Sequence, residues 1–313
     1  MAKCNVCFRH CEIKEGQTGF CGARVCIGGK VVPANYGRLS AIMLDPIEKK
    51  PLSRFCPGSM VLSVGSFGCN LRCPFCQNSD ISWSEESLAM TGRIAKQVVR
   101  AGGFEAGATE DPTDESAAEL PTYVTPRWLA ETAERYKAAG NIGVAFTYNE
   151  PLIGYEYVRD TARLVHERGM KNVLVSNGTA ELSVLEELLP YIDAMNIDLK
   201  GFTDNYYSKL LGGDRKMVMN FIALAVQYAH VELTTLIVPG ENDSEEEMRE
   251  LTAWVAGLKD RQGAVIGPKI PLHISRFFPR FHMTDRGATE VRKVYRLVDV
   301  AREKLEYVYS GNV

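Results

Sequence analysis

Residues 60–78 read MVLSVGSFGCNLRCPFCQN. The first half, Met60–Ser66, is a short run rich in apolar and β-branched residues, which predicts a buried strand. Three cysteines follow it at the spacing C-x3-C-x2-C, namely Cys69, Cys73 and Cys76. On a helix they would share one face, but Pro74 would cost such a helix about 3 kcal/mol. The spacing therefore predicts a loop at the carboxyl end of a strand, where parallel barrels carry their chemistry.

Beyond this loop, short β-rich runs alternate with amphipathic stretches. The further strand candidates are Ile142–Thr147, Asn172–Ser176, Ala194–Leu199, Val231–Val238 and Pro271–Ser275. The helix candidates are Arg127–Ala139, Leu152–Arg168, Arg215–Ala229, Ser244–Lys259 and Gly287–Leu305. This α/β alternation predicts a parallel sheet covered by helices. About six such units predict a partial (β/α)6 TIM-like barrel, with an open doubly wound sheet as the alternative.

The composition divides the chain into unequal parts. Residues 1–45 are rich in Cys and Gly with little periodicity, which predicts a small metal-binding segment stapled by its cysteines. Residues 46–313 carry the barrel pattern. Within them, a small and acidic stretch at about 91–122 predicts a mobile insertion.

The bulk composition is that of an ordinary globular protein. The 313 residues are 45% apolar and 24% charged with a net charge of −3, which disfavours nucleic acid or an anionic membrane as partner. We find no run long enough to span a membrane and no signal peptide, and therefore expect a cytoplasmic protein. All nine cysteines lie between Cys4 and Cys76. In a reducing compartment, such clustering favours metal ligation or catalysis over disulfides, although a single cysteine could simply be a buried apolar residue.

Three closely spaced thiolates suit an iron–sulfur cluster in which one iron lacks a protein ligand and stays open to a substrate or cofactor. The spacing, with Phe75 just before the last cysteine, resembles the signature of the radical S-adenosylmethionine (radical SAM) superfamily. The resemblance implies a [4Fe–4S] cluster that cleaves SAM reductively to methionine and a 5′-deoxyadenosyl radical. That radical would abstract hydrogen from a substrate, after a flavodoxin- or ferredoxin-type carrier has delivered an electron.

Later strand ends extend the resemblance and imply a SAM-binding set. Its members are Phe75, Gln77 and Asn78 beside the adenine, Tyr148, Asn149 and Glu150 at the methionyl amino group, Ser176 and Asn177 at the ribose, Asp198 and Lys200 at the methionyl end with a monovalent cation, and His273 near the methionine. Two departures occur: Tyr148 and Asn149 replace the superfamily's glycines, and Thr234 stands where the activators have arginine. Taken singly, several members have simpler interpretations, such as an ion pair, a turn or a core histidine.

A closer resemblance covers nearly the whole chain. The motifs are Cys4-x2-Cys7-x3-Cys11 with Gly19-Phe20-Cys21-Gly22, then Asp45–Leu52, Cys76–Asn78, Tyr148–Pro151 and Ile274–Phe277. Together they resemble the AmmeMemoRadiSam system radical SAM proteins, relatives of the pyruvate formate-lyase activating enzymes. The resemblance implies Memo-like and AMMECR-like proteins as partners, and does not imply a substrate.

The N-terminal cysteines form a second candidate metal site. Cys4, Cys7, Cys11 and Cys21 offer four thiolates, enough for tetrahedral zinc or for an auxiliary iron–sulfur cluster. Cys26 and His10 are alternative fourth ligands. A nucleic-acid-binding zinc knuckle is disfavoured because the local basicity is modest.

Three hypotheses for function follow. The first is an activase that installs a glycyl radical on a partner protein. The second is a radical SAM enzyme that modifies another peptide or a small molecule. The third, of a different class, is a non-catalytic iron–sulfur or zinc protein.

Overall fold

The computed structural model describes residues 1–83 and 123–313, so the insertion predicted at about 91–122 lies outside the described residues. The strands in the described part of the chain are β1 (Ala2–Lys3), β2 (Glu12–Ile13), β3 (Arg24–Ile27), β4 (Lys30–Pro33), β5 (Ala41–Pro46), β6 (Met60–Gly65), β7 (Asn141–Phe146), β8 (Lys171–Ser176), β9 (Ala194–Asp198), β10 (His230–Ile237), β11 (Leu272–Arg276) and β12 (Val308–Gly311). β6 to β11 are the six strands predicted from the sequence.

Eight of these strands form one sheet whose spatial order, β12-β11-β10-β9-β8-β7-β6-β5, follows the order along the chain. β6 to β12 are parallel, and β5 pairs antiparallel with β6. In a doubly wound sheet the strand order reverses at a switch point, which it does not do here. The predicted partial barrel is therefore confirmed. Its two edge strands, β5 and β12, do not pair with each other in this sheet.

Helices follow the strands as predicted, although each is shorter than its sequence pattern. The α-helices of the described residues are Ser79–Ser82, Pro126–Arg135, Tyr155–His166, Leu182–Leu188, Arg215–Ala225, Glu245–Ala256 and Val291–Arg302. Side-chain caps fix three of the starts: the Thr125 and Ser244 hydroxyls and the Asp214 carboxylate each accept a backbone N–H three residues on, all at 3.1 Å. Over 1–83 and 123–313, no helix has the length and apolar character needed to cross a membrane.

The N-terminal segment forms two small antiparallel pairs, β1–β2 and β3–β4, and docks on the barrel. Arg24 makes one of the polar contacts between them. Its buried guanidinium donates to the Ile153 carbonyl at 3.0 Å and pairs with Glu156 at 2.8 Å. The division of the chain after residue 45 stays a prediction, because β5 spans that position.

Residues 45–54, here called the floor segment, enter the barrel interior. Ile47 and Leu52 are fully buried and pack with inward-facing apolar residues of β6 to β9. The Asn196 amide donates to the Pro51 carbonyl at 2.8 Å. At its end, the Arg54 guanidinium stacks 3.8 Å from the ring of Tyr307, just before β12. The floor segment therefore fills the lower barrel and reaches across to its last strand.

Candidate active site at the carboxyl ends of the strands

A cavity of about 770 Å³ lies above the floor segment, at the carboxyl ends of the parallel strands. That volume is typical of small-molecule sites. Every residue of the predicted cluster and SAM set lines it: Cys69, Cys73, Cys76, Phe75, Gln77, Asn78, Tyr148, Asn149, Glu150, Ser176, Asn177, Asp198, Lys200 and His273. The structure thus brings together residues that lie up to two hundred positions apart, while their individual roles stay predictions.

Three backbone hydrogen bonds, each to a different part of the chain, hold the cysteine loop, residues 69–76. Its first amide, Cys69 N, donates to the Cys21 carbonyl of the N-terminal segment at 3.2 Å. Arg72 N donates to the Leu211 carbonyl at 2.8 Å, and the Pro74 carbonyl accepts from the chain after β11 at 2.8 Å. These backbone contacts fix the direction in which the loop presents its thiols.

The thiol environment fits a cluster with one open iron. Among the described residues that line the cavity, Cys69, Cys73 and Cys76 are the only cysteines. Burial raises the pKa of the Cys69 and Cys76 thiols and raises that of Cys73 to about 11. They would therefore stay protonated at neutral pH unless a bound cation stabilised the thiolates, as iron does. The Asn177 amide lies 3.7 Å from the Cys69 sulfur as a weak donor.

Glu150 joins the ends of β7 and β8. Its Oε1 accepts from the Ser176 hydroxyl at 2.8 Å and from Leu152 N at 3.0 Å, and its Oε2 accepts from Asn177 N at 2.8 Å. Burial raises the pKa of Glu150 to about 7 despite these donors. The carboxylate is thus a preorganised acceptor that a cationic amine in the cavity would favour in its charged form.

The two positions that replace the superfamily's glycines have structural explanations. Tyr148 adopts a left-handed φ of +72°, a conformation that favours glycine, and its hydroxyl donates to Asp45 Oδ2 at 2.7 Å. Asn149 accepts from Ser66 N at 2.9 Å and donates to the Gly68 carbonyl at 3.1 Å. Tyr148 therefore keeps the glycine-like backbone, and Asn149 clamps the start of the cysteine loop.

Asp198 and Lys200 form an ion pair beside the cysteine loop, with Nζ and Oδ2 2.7 Å apart. Burial opposes the charge of Lys200, but the Asp198 carboxylate raises the pKa of this amine. The Lys200 amide also donates to the Tyr207 hydroxyl at 3.0 Å. Thr234 donates to Asn196 Oδ1 at 2.9 Å, so at this position a strand-to-strand bond stands in place of the activators' arginine.

The floor segment supplies site residues to which the sequence assigned no role. Lys50, with a side chain only 3% exposed, pairs with Asp45 Oδ2 at 2.9 Å, and its ammonium lies 4.6 Å from the centre of the Tyr148 ring. Burial opposes the charge of Asp45, but hydrogen bonds from Lys50 and Tyr148 lower the pKa of this carboxyl to about 2. The one sequence signal that could have pointed to these residues is the Asp45–Leu52 motif, which is part of the resemblance to the AmmeMemoRadiSam system radical SAM proteins.

The four N-terminal cysteines border one small cavity without forming a closed metal site. Cys4, Cys7, Cys11 and Cys21 line a small cavity of about 10 Å³ beside Arg9. The alternative ligands point elsewhere: Cys26 contacts Glu15 at 3.6 Å, and His10 contacts Glu181 at 3.2 Å. Within residues 1–83 and 123–313, no three His, Cys, Asp or Glu side chains are grouped closely enough to hold a single metal ion.

Comparison with known proteins agrees with the fold. Residues 63–252, more than half of the chain, match the model of the Radical SAM superfamily. The chain belongs to the radical SAM superfamily. It is accordingly an enzyme of the class that binds a [4Fe–4S] cluster and SAM, and the three-cysteine loop and the polar cavity beside it fit both groups.

Individual relatives are informative in different ways. An uncharacterized protein of Methanocaldococcus jannaschii is 36% identical over 99% of this chain and 81% of its own length. The pyruvate formate-lyase-activating enzyme of Clostridium pasteurianum is 24% identical over 76% of this chain and 89% of its own. The crystal structure of Streptococcus suis SuiB aligns with 80% of this chain over 50% of the SuiB chain, with a TM-score of 0.52 and 13% identity. This similarity supports the fold alone.

Proposed function

We propose that this radical SAM enzyme abstracts hydrogen from a substrate held between the cysteine loop and the floor segment, in a reaction like that of the glycyl-radical activases. The observation that carries the proposal is the cavity of about 770 Å³, which the cluster cysteines and the floor residues line together. Similarity to a pyruvate formate-lyase-activating enzyme supports an activase-like role on a partner protein.

When bound, the cluster and SAM supply the 5′-deoxyadenosyl radical, and the chain's own residues orient and enclose the reactants. Glu150 and Asp198 present carboxylate oxygens to the cavity, where an ammonium group would be attracted. Asn177 bonds both the cysteine loop, at Asn70, and the Glu150 carboxylate, so it links the cluster side of the cavity to the proposed SAM side. Leu52 and Ile47 seal the interior below.

The test is anaerobic reconstitution with iron and sulfide, followed by dithionite and SAM. We expect 5′-deoxyadenosine and methionine in equal amounts. A loaded cluster that yields no 5′-deoxyadenosine would refute the enzymatic function and favour a non-catalytic iron–sulfur protein. Deuterium transfer from labelled candidates then identifies the substrate. Transfer from a glycine Cα of a partner protein supports the activase, whereas transfer from another peptide position or from a small molecule assigns the alternative radical SAM reaction.

For the N-terminal segment we propose a metal site at Cys4, Cys7, Cys11 and Cys21. The common cavity that these four cysteines line supports it. Zinc would make the site structural, and an auxiliary iron–sulfur cluster would make it an electron relay. Metal and sulfide analysis of a variant with Cys4, Cys7 and Cys11 replaced by alanine distinguishes the two. Loss of a zinc site would lower zinc and leave the sulfide content unchanged, whereas loss of a cluster would lower both iron and sulfide. Unchanged zinc, iron and sulfide together would refute the site.

The remaining partners are proposed from the resemblance. A reduced cytoplasmic flavodoxin or ferredoxin would deliver the electron, and Memo-like and AMMECR-like proteins would act with this one. The monovalent cation would bind at Asp198, whose second carboxylate oxygen is not used by the 2.7 Å pair with Lys200. Dependence of SAM cleavage on potassium tests the cation, and no difference between potassium and a bulky organic cation would refute it.

A further inference from the structure

Two arginine side chains lie beside the cysteine loop without an acidic partner. Arg9 comes from the N-terminal segment, and Arg72 lies inside the loop; both are partly buried. In the described part of the chain, neither guanidinium lies within salt-bridge distance of a carboxylate. Glu181 does approach the N-terminal segment, but it pairs with His10 at 3.2 Å. The two arginines therefore keep a positive charge that no side chain described here neutralises.

Backbone carbonyl oxygens orient both guanidinium groups. Arg9 Nε donates to the Asn70 carbonyl of the cysteine loop at 2.7 Å, and its Nη2 donates to the Gly212 carbonyl at 2.5 Å. Arg72 Nη2 donates to the Phe20 carbonyl of the N-terminal segment at 3.0 Å. Hydrogen bonds to carbonyls fix the direction of a guanidinium but do not cancel its charge, which arginine keeps in proteins.

The ring of Phe20 contacts both cations. The guanidinium carbon of Arg9 lies 3.2 Å from the ring centre, and that of Arg72 lies 3.9 Å from it. Arg72 also lies on the ring of Trp83. Aromatic faces attract cations and keep water away from them, so solvent screens the two charges less. Two like charges on one ring repel each other, and an anion close by would offset that repulsion.

The cysteine loop supplies such an anion when the cluster is bound. The thiolates of Cys69, Cys73 and Cys76 outweigh the positive charge of an oxidised [4Fe–4S] core, and one electron from the reduced carrier adds a further negative charge. A cation nearby stabilises the reduced form more than the oxidised form, which raises the reduction potential. Arg9, bonded to the Asn70 carbonyl, and Arg72, next to Cys73, lie where they would act in this way.

We propose that Arg9 and Arg72 raise the reduction potential of the cluster at the cysteine loop, and that the N-terminal segment takes part in electron uptake through Arg9 and Phe20. This role rests on the proposed function of the cysteine loop and goes beyond it. It gives the N-terminal segment a redox task that does not depend on a metal at its own cysteines.

A redox titration of the reconstituted enzyme, followed by EPR in the absence of SAM, measures the potential without turnover. The signal of the loop cluster is recognised because SAM, once added, changes it. In Arg9→Gln and in Arg72→Gln, the equilibrium constant for one-electron reduction should fall about tenfold, a potential lower by about 59 mV. Iron and sulfide contents confirm equal loading. An unchanged or higher potential in either variant would overturn the role of that arginine.

Arg9→Lys separates the charge from the hydrogen bonds. Lysine keeps the positive charge but loses the forked donor geometry of the guanidinium. The equilibrium constant of this variant should therefore stay within about threefold of the unmodified enzyme. Equal losses in Arg9→Lys and Arg9→Gln would mean that the hydrogen bonds to the carbonyls matter and the charge does not, which would overturn the electrostatic role.

Arg261→Gln is the matched control for loss of a stacked guanidinium. Arg261 lies 4.6 Å from the ring centre of Tyr228, two positions before β10 and thus at the amino ends of the strands, opposite the cysteine loop. Its removal should change the equilibrium constant less than twofold. A tenfold fall here as well would mean that the effect does not depend on position, and would overturn the proposal.

Turnover distinguishes failure of this inference from failure of the proposed function. If the unmodified enzyme, loaded and reduced, forms no 5′-deoxyadenosine, the proposed function fails, although the potentials of the variants can still be compared. If the unmodified enzyme forms 5′-deoxyadenosine and the potential is the same in Arg9→Gln and Arg72→Gln, only the charge effect of the two arginines is refuted.

Discussion

The amide of Cys69 donates a hydrogen bond of 3.2 Å to the carbonyl of Cys21. The first residue of the cluster loop is thereby bonded to the last cysteine of the N-terminal cavity. Arg9 adds a second link, since its guanidinium Nε donates to the Asn70 carbonyl at 2.7 Å while the side chain lines the N-terminal cavity. The two cysteine-rich regions are therefore linked by hydrogen bonds, and a substitution in one should have a measurable effect on the other.

The Cys21–Cys69 contact requires a glycine at position 68. Gly68 has a φ of +86°, and a Cβ there would lie 2.5 Å from the Cys21 carbonyl oxygen. Strain and overlap should make Gly68→Ala less stable by about 3 kcal/mol in urea unfolding. Gly58→Ala is the control, because Gly58 has a similar φ of +81° but open space around it, and should cost about 1 kcal/mol. Equal losses in the two variants would contradict the close approach.

Binding of the cluster should depend on Cys73 and should not depend on the exposed Cys56. Cys73→Ala should lose the cluster's absorbance and EPR signal, and SAM cleavage should fall at least a hundredfold because one iron loses its ligand. Cys56→Ala provides the control, since Cys56 is exposed and outside the cavity lining. Iron content and 5′-deoxyadenosine yield are the measurements. Undiminished yield in Cys73→Ala would refute the ligand assignment.

The Asp45–Lys50 pair should give a stability difference that depends on pH. Asp45→Asn leaves the buried Lys50 ammonium without its counter-charge, which should cost about 3–5 kcal/mol at neutral pH. The pKa of Asp45 is lowered to about 2 in the folded protein, so its contribution is complete above the unfolded value near 4 and is lost as the pH falls towards 2.

Urea unfolding of both proteins between pH 6 and pH 2.5 measures this difference. The two curves should converge as the pH falls. A gap that stays constant would mean that the carboxylate charge contributes nothing. Tyr148→Phe isolates the neighbouring hydrogen bond and should cost about 1 kcal/mol.

Docking of the N-terminal segment should depend on Arg24. This guanidinium is 5% exposed and pairs with Glu156, so Arg24→Ala should raise amide hydrogen exchange across residues 1–40 while the barrel strands stay protected. Arg163→Ala is the matched control, because Arg163 lies on the helix that carries Glu156. Its pair with Glu167 is about half exposed and worth less than about 0.5 kcal/mol. Uniformly faster exchange over the whole chain would argue against a separate docking contact.

The structural features that depend on a local sequence pattern could be predicted. The six central strands are apolar and β-rich, and the cysteine loop is a contiguous motif, so both were found with bounds close to those observed. The edge strands β5 and β12 were missed because their burial is irregular: Met43 in β5 is 57% exposed, and β12 has only four residues. The short helix Leu182–Leu188 was missed too.

Contacts between distant segments could not be predicted. Glu232 accepts a hydrogen bond from the backbone amide of Ser53, which lies 179 positions earlier in the chain. Neither residue belongs to a motif that predicts contact with the other. Tyr148 departs from the superfamily pattern in residue type, but it keeps a left-handed backbone and its hydroxyl bonds to Asp45. Such pairings arise because the curved sheet packs around the floor segment, and no short window of sequence contains both partners.

The seam between β5 and β12 is bridged by Arg54 lying on Tyr307 and not by a ladder of backbone hydrogen bonds. Replacing either side chain would remove this contact without unpairing any strand of the sheet. The same floor segment packs against β6 to β9 through Ile47 and Leu52, below the cysteine loop. One continuous segment thus couples the last strand of the sheet to the strands that carry the cysteine loop, although those strands are not neighbours in the sheet.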